Sequence, residues 1–426
     1  MSRIRNCAVV LFFLCVPQLT GAQRNTWIAT WATGPQSAEP DPHEPLLNID
    51  NQTVRERMRI SIGGDRIRIQ LSNEYGSAPL LIGSATLALP IESPPADPAS
   101  VQPGSIRAVT FGGLGSATIP AGARVLSDPV AFPVGYGAEI AISLYFPNRV
   151  VTMTLHDVAL KRAVVSQRGD QTHQQRIDGG LVSNSSILVT AVLVPAQPSQ
   201  RLVAAFGDSV VDGDGATRDA DNNWPGDLIR RLAKTPAGSK IAVVNEGVAG
   251  NRLLSDGPPN TGLTFNFGLS ALARFDRDAL SLPGITHIVL LEGLNDIGFP
   301  GAKLGDHYLA DPSDVRTAED LIDGYKQLIA RAHTNGVKII GATIGPFEGV
   351  DLPGYYSKSK ETIRQEANKW IRGGGAFDGV IDFDAVLRDP DHPSRLTPRF
   401  ASNDHLHPNP AGYQAMADAI DLALFK

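Results

Sequence analysis

The chain predicts an all-β sandwich followed by an α/β unit built on a five-stranded, parallel, doubly wound sheet. Three observations carry this expectation. From Thr26 to about Pro195, short apolar runs alternate with polar residues and are separated by glycine and proline, without convincing helical periodicity. After the short polar linker Pro195-Ala-Gln-Pro198-Ser-Gln200, apolar runs alternate with helical stretches. The length, 426 residues, suggests two or three domains at roughly 150 residues each.

The first residues read as an export leader. Arg3 and Arg5 form a basic start, Cys7 to Val16 is a nearly continuous apolar run, and Thr20-Gly21-Ala22 supplies small residues for cleavage. The apolar run is too short to span a membrane as a helix. The expectation is a signal peptide over 1–22, a mature start at Gln23 and a secreted or periplasmic protein with no stable membrane insertion. Both cysteines, Cys7 and Cys15, fall in that leader. A mature chain would hold no thiol, which excludes disulfides, thiolate metal sites and cysteine catalysis. The formal charge is −6, or −8 without Arg3 and Arg5, and no basic run points to nucleic acid.

The sandwich is expected over 23–198. Thr26 to Thr33 opens it as a strand. Val54 to Ile62 and Ile67 to Leu71 each alternate apolar and polar residues around Gly63-Gly64-Asp65, which predicts a β-hairpin with one buried face. Ile106 to Ile119, Val130 to Phe132, Glu139 to Phe146, Val151 to Leu155 and Ile187 to Leu193 read as further strands. The whole predicts a jelly-roll type of sandwich. Trp27, Trp31 and Tyr75 could bind glycan if exposed, and filling the core or the interdomain contact is the favoured role.

The α/β unit is expected over 199–426. Its strands read as Leu202–Phe206, Ile241–Asn245, His287–Leu291, Lys338–Ile344 and Val380–Phe383. Helices are expected over Pro225 to Ala233, Leu269 to Leu280, Ala318 to Asn335 and Ser357 to Arg372, with a last one opening at Asn409-Pro410. In that last helix Ala415, Ala419 and Ala423 share one face by their spacing. Five apolar strands with crossover helices predict a flavodoxin-like sheet.

Four short stretches follow strand ends: Gly207-Asp208-Ser209, Asn245 to Asn251, Glu292 to Asp296, and Asp404-His-Leu-His407-Pro408. Carboxyl ends of parallel strands share a rim, so these stretches can converge. The residue types suit acyl transfer. A serine hydroxyl needs a base to become a nucleophile, histidine titrates near neutrality, and a carboxylate stabilises the imidazolium. Asp404 and His407 stand three residues apart, so one turn can bring them together. Gly250 lets a backbone N–H approach closely, and Asn295 can supply an amide donor. Asp208 is expected to order its loop through backbone hydrogen bonds, and His405 to be a bystander. Asp212, Glu246 and Glu292 are near the rim and receive no chemical role. The seven other histidines, His156 among them, give no metal spacing, and Asp212-Gly-Asp214-Gly215 is too short for a calcium loop.

These four stretches resemble the SGNH, or GDSL, hydrolase family, over about Arg201 to Lys426. The resemblance implies Ser209 as nucleophile, His407 as base and Asp404 as its carboxylate partner. It implies an oxyanion hole made by the Ser209 and Gly250 N–H groups and the Asn295 side chain. Leu294 departs from the glycine that often precedes this asparagine, which leaves the donor in place. Val211 stands where a Gly-x-Ser-x-Gly elbow would need its second glycine, which disfavours an α/β-hydrolase elbow. The β-rich front resembles secreted bacterial members with a jelly-roll domain.

The expected function is therefore a secreted serine esterase that needs no cofactor or metal. The first expectation for its substrate is an acetyl ester, O-acetylated carbohydrate in particular. The runner-up is a short-chain lipid or aryl esterase or lysophospholipase. A rival of another class is a carbohydrate-binding protein whose hydrolase unit is inert.

Overall fold

The computed structural model describes residues 27–38, 48–91, 97–150, 152–235, 238–257 and 267–426. The expected leader, 1–22, lies outside these residues. Among them, no helix is long and apolar enough to cross a membrane.

The N-terminal region is built from antiparallel strands: β1 (Trp27–Ala32), β2 (Gln52–Arg59), β3 (Gly64–Ser72), β4 (Ser84–Ala88), β5 (Val130–Val134), β6 (Glu139–Phe146), β7 (Ala163–Arg168) and β8 (Val189–Pro195). One sheet runs β1-β8-β3-β5, with Arg124–Leu126 also pairing with β3. The other runs Leu181–Ser183, β7, β2, β6, β4, Arg107–Ala108. Alternation explains the pairing. Ile67, Ile69 and Leu71 of β3 point inward, as do Val54 and Met58 of β2 and Ile142 and Leu144 of β6.

The hairpin expected around Gly63-Gly64-Asp65 does not form. β2 pairs with β6 and β7, whereas β3 pairs with β8 and β5 in the other sheet. The connecting Ile60 to Ile62 crosses between sheets: Ile60 N–H donates to Ala138 O at 2.9 Å and Ser61 N–H to Thr30 O at 2.8 Å. Ile60 and Ile62 are both buried there, and that crossing carries the chain away from the local partner. Two other strand readings shorten. The Ile106 to Ile119 run keeps only Arg107–Ala108 and Ala117–Ile119, with Gly112 to Gly115 exposed between them. The Ile187 to Leu193 run breaks at Leu188, whose φ is 56°.

The C-terminal sheet is the predicted one. Its strands are β9 (Arg201–Gly207), β10 (Ile241–Gly247), β11 (Ile285–Leu291), β12 (Lys338–Ala342) and β13 (Gly379–Ile381), all parallel, in the order β10-β9-β11-β12-β13. Leu202 to Phe206 are fully buried, as a central strand covered on both faces requires. The helices are α1 (Ser209–Asp212), α2 (Trp224–Ala233), α3 (Ala271–Phe275), α4 (Leu294–Gly298), α5 (Ala318–Thr334), α6 (Lys358–Gly373), α7 (Phe383–Leu387) and α8 (Pro410–Ala419). Thr317 and Asp320 form a capping box at α5, and Asn409 caps α8, whose first residue is proline. Phe383, read as a strand end, instead opens α7. In α8 the buried face is Gly412, Tyr413, Met416 and Ala417, not the alanine row; Ala419 is exposed. Tyr413 and Met416 carry far more apolar area than alanine, so they set the face.

Both regions share one apolar core. Ala29 N–H donates to Pro283 O at 2.9 Å, Tyr136 Oη to Ile229 O at 3.2 Å, and Arg277 Nη1 to Tyr75 Oη at 2.7 Å. Lys161 and Arg59 meet Asp221, each at 2.8 Å, and Arg162 pairs with Asp219. Trp31 lines a cavity of about 110 Å³ between the two regions, and Tyr75 is half of a contact between them. Removing the N-terminal region would expose this apolar seam and strand several charges. A fragment covering Ser199–Lys426 should therefore aggregate on expression; a soluble fragment with full ester turnover would contradict that, and size-exclusion chromatography with an activity assay decides.

Candidate functional site

The site grows from three adjacent strand ends. Gly207, Gly247 and Leu291 stand level in the register of β9, β10 and β11. The chain leaves each end at the same height, so Ser209, Gly250 and Asn295 emerge on one rim. Gly207 admits no side chain, because an added Cβ would meet Leu291 O at 1.8 Å.

Ser209 opens the single turn α1. Asp208 caps it, its side chain accepting the Val210 N–H at 2.9 Å, the ordering role expected for that residue. Ser209 Oγ lies 2.8 Å from His407 Nε2, and His407 Nδ1 lies 2.6 Å from Asp404 Oδ2. Asp404 is fixed in turn, its Oδ1 accepting from Ser402 Oγ at 2.6 Å, Leu406 N–H at 2.9 Å and His407 N–H at 3.0 Å. His405 sits in the left-handed region, φ 57°, which turns Asp404 and His407 toward each other. The structure thus brings together all three residues that the sequence singled out.

Three donors accompany this line. Among the described residues no acceptor takes the backbone N–H of Ser209 or Gly250. Gly250 has a φ of 73°, and an added Cβ would meet Phe267 Cδ1 at 2.0 Å, so only glycine fits. Asn295 Nδ2 donates to Asn251 O at 2.9 Å, one residue beyond Gly250, and its Oδ1 accepts from Tyr355 Oη at 2.8 Å. The first bond fixes the amide orientation, since a carbonyl can only accept and so selects the nitrogen.

The electrostatics favour an imidazolium. Burial opposes charge on His407, but its hydrogen bond to Asp404 and the nearby Asp214, Asp404 and Asp208 carboxylates raise its pKa overall. Burial works against Asp404 too, yet its bond to His407 holds it well below the usual carboxylate range. Beneath the rim, burial raises Glu246 and Glu292 well above their ordinary values, with Asp278 and Asp208 respectively adding to the effect. Burial therefore disfavours charge on both. Arg274, also buried, donates to Gly207 O, Glu246 O and Asn251 Oδ1, each at 2.8 Å.

Sequence reasoning missed three neighbours. Asp214 Oδ2 lies 3.8 Å from His407 Nε2, and among the described residues its carboxylate has no hydrogen-bond partner. Tyr355 holds Asn295. His156, from the N-terminal region, meets Asp212. Only the Asp212-Gly-Asp214 spelling hinted at any of these; the others depend on contacts between residues far apart in the chain.

A hydroxyl, imidazole and carboxylate stand in one hydrogen-bonded line on the rim of a doubly wound sheet, and the family match makes the protein a carboxylic ester hydrolase. Residues 205–415 match the model of the GDSL-like lipase/acylhydrolase family, and this region of the chain belongs to that family. Solved structures similar to it include the native aryl esterase of M. smegmatis, 17% identical, with a TM-score of 0.39, covering 51% of this chain and 95% of that one. A GDSL-like lipase from Bacteroides thetaiotaomicron is 15% identical, with a TM-score of 0.37 and coverage of 54% and 90%. An α/β hydrolase from the metagenome of Lake Arreo, Spain, is 19% identical, with a TM-score of 0.38 and coverage of 53% and 94%. No curated protein matches the chain.

Asp214 gives a test of the electrostatics. A base must be neutral, so kcat/KM should fall as pH drops through the raised His407 pKa. Asp214→Asn removes one negative neighbour, lowers that pKa and moves the acid limb to lower pH by about one unit. A pH profile of kcat/KM on one soluble ester measures this; an unmoved limb would show that Asp214 does not act on His407.

Proposed function

We propose that the protein is a serine esterase in which Ser209, His407 and Asp404 form the catalytic triad. The observation that carries this reading is the continuous line Ser209 Oγ–His407 Nε2, 2.8 Å, and His407 Nδ1–Asp404 Oδ2, 2.6 Å. Ser209 Oγ attacks the ester carbonyl while His407 Nε2 takes its proton. The resulting oxyanion is held by the Ser209 and Gly250 N–H groups and by Asn295 Nδ2. His407 then protonates the leaving alcohol, and an acyl-enzyme remains on Ser209. Water, activated by the same nitrogen, releases the acid and restores the hydroxyl. Asp404 orients the imidazole and balances its charge throughout.

The substrate reading is a short acyl group, acetyl first, on an alcohol rich in hydroxyls such as a carbohydrate. Two features support it. Leu291, Leu294, Phe383, Leu387 and Leu406 close around Asp208 and Glu292, leaving about 10 Å³, the room of a single water. That side of the turn carrying Ser209 offers no space for an acyl tail. On the alcohol side, the unpartnered Asp214 carboxylate stands 3.8 Å from the nitrogen that must meet the leaving oxygen. A hydroxyl beside the leaving oxygen could donate to it. The enzyme is proposed to act outside the cytoplasm, on the support of the basic, apolar and small residues of its first 22 positions.

An ester panel that varies acyl length and alcohol, run on wild type and Ser209→Ala, tests the reading. Ser209→Ala should fold and lose about 10⁴- to 10⁶-fold in kcat, because the covalent route is gone. Wild-type turnover should be highest on acetyl esters and fall steeply by about eight carbons, each unaccommodated methylene losing about 1–3 kcal/mol of discrimination. Near wild-type turnover by Ser209→Ala would end the mechanism. Rates that rise with chain length would replace the acetyl reading by a lipid esterase, and binding of a glycan with no ester turnover at all would favour the inert binding protein.

A further inference from the structure

One side chain of the N-terminal region hydrogen-bonds to the turn that carries Ser209. His156 ends the short strand Thr154–His156, and its side chain is 4% exposed. Its Nε2 lies 3.0 Å from Asp212 Oδ1 and its Nδ1 lies 2.9 Å from Gly34 O. Asp212 is an ion-pairing carboxylate and Gly34 offers a carbonyl, so both partners are acceptors. A ring that satisfies both must carry a proton on each nitrogen, and the geometry therefore asks for the imidazolium.

Asp212 is placed where this matters. It closes the one-turn helix that Ser209 opens. Its second oxygen accepts the Ala249 N–H at 3.0 Å, and Ala249 directly precedes Gly250. Its carbonyl accepts amides from Asn223 at 2.7 Å and Asn245 at 3.1 Å. One carboxylate thus joins the turn that carries Ser209 to the loop that carries Gly250, and the cation beside it comes from the other region of the chain.

We propose that His156 is a positioning residue for ester hydrolysis: its ion pair with Asp212 holds the Ser209 turn and the Ala249–Gly250 backbone at a fixed spacing. This rests on the serine-esterase reading above. A buried carboxylate deprived of its cation must admit water or turn away, and either movement would release the Ala249 N–H. The charged groups facing His156 are Asp212 and Asp214 beyond the Ser209 turn, Asp157 next in its own segment, the Arg274–Asp278 pair across Gly34, and Glu56, Arg57, Arg59, Lys161, Arg162 and Asp221 around the cavity that His156 also lines. Burial opposes the imidazolium, and Asp212 overrides it, raising the His156 pKa to about 9. The support is therefore complete at neutral pH and is lost as pH rises through that value.

The experiment measures kcat and KM on an acetyl ester from about pH 7 to pH 10, with the rate at which a fluorophosphonate labels Ser209. It compares wild type, His156→Ala, Asp212→Asn and Ser209→Ala. His156→Ala should lose about 10- to 100-fold in kcat and in labelling rate, with KM within about twofold, because the donors shift relative to Ser209. Asp212→Asn can rebuild the bridge without charge: its oxygen accepts from Ala249 N–H while its amide donates to a neutral His156. That variant should be at least about tenfold faster than His156→Ala and should lack the wild-type decline above about pH 9. A folded His156→Ala with wild-type kcat, or with a loss confined to KM, overturns the proposal. If His156→Ala does not fold, coincident pH profiles of wild type and Asp212→Asn overturn it instead. Turnover by Ser209→Ala would sink the esterase reading itself, whatever His156 does.

Discussion

The rim of the parallel sheet depends on three strands that end level. Gly207 sits opposite Gly247 and Leu291, and the approach to Leu291 O leaves no room for a Cβ. This closeness is what lets a four-residue turn, a glycine loop and a short helix meet within reach of one hydroxyl. A side chain at Gly207 would push β9 from β11 and separate Ser209 from Asn295. Backbone spacing, more than any single side chain, is the constraint from which the site follows.

That spacing is maintained over a densely charged interior. Arg274 collects the buried carbonyls of Gly207 and Glu246 and the side chain of Asn251, all at 2.8 Å, and stacks 4.0 Å above the Phe206 ring. One arginine thus ties the ends of β9 and β10 to the loop after Gly250. Burial disfavours charge on Glu246 and Glu292, and the carboxylates that act on His407 are Asp404, Asp214 and Asp208. Those are the groups that raise His407 and prepare it to hold a proton during acyl transfer. The N-terminal region adds its own cation beside Asp212, which makes it part of the scaffold of the rim as well as a neighbour.

The α/β half was legible because its strands are buried on both faces and read as unbroken apolar runs, such as Leu202 to Phe206. The glycine, serine, asparagine and histidine stretches fall at strand ends, so their convergence follows from sheet topology alone. The N-terminal half was less legible. Val54 to Ile62 and Ile67 to Leu71 show the right alternation, yet a turn sequence between them cannot reveal that they belong to different sheets. His156 and Tyr355 were invisible as site residues because each acts through a partner far away in the chain, Asp212 and Asn295. The alanine spacing of α8 did not reveal its buried face, because spacing alone does not weigh residue size and Tyr413 with Met416 sets that face.

The central claim is that ester cleavage passes through a covalent bond to Ser209 Oγ. The most direct measurement is intact-protein and peptide mass spectrometry of enzyme quenched in acid during turnover of an acetyl ester with a good leaving group. A transient acetyl adduct is expected on the peptide containing Ser209, absent in Ser209→Ala and lost together with turnover in His407→Ala, which lacks the base for attack as well as for deacylation. An adduct on any other residue, or steady turnover with no covalent species when deacylation is slowed, would contradict it.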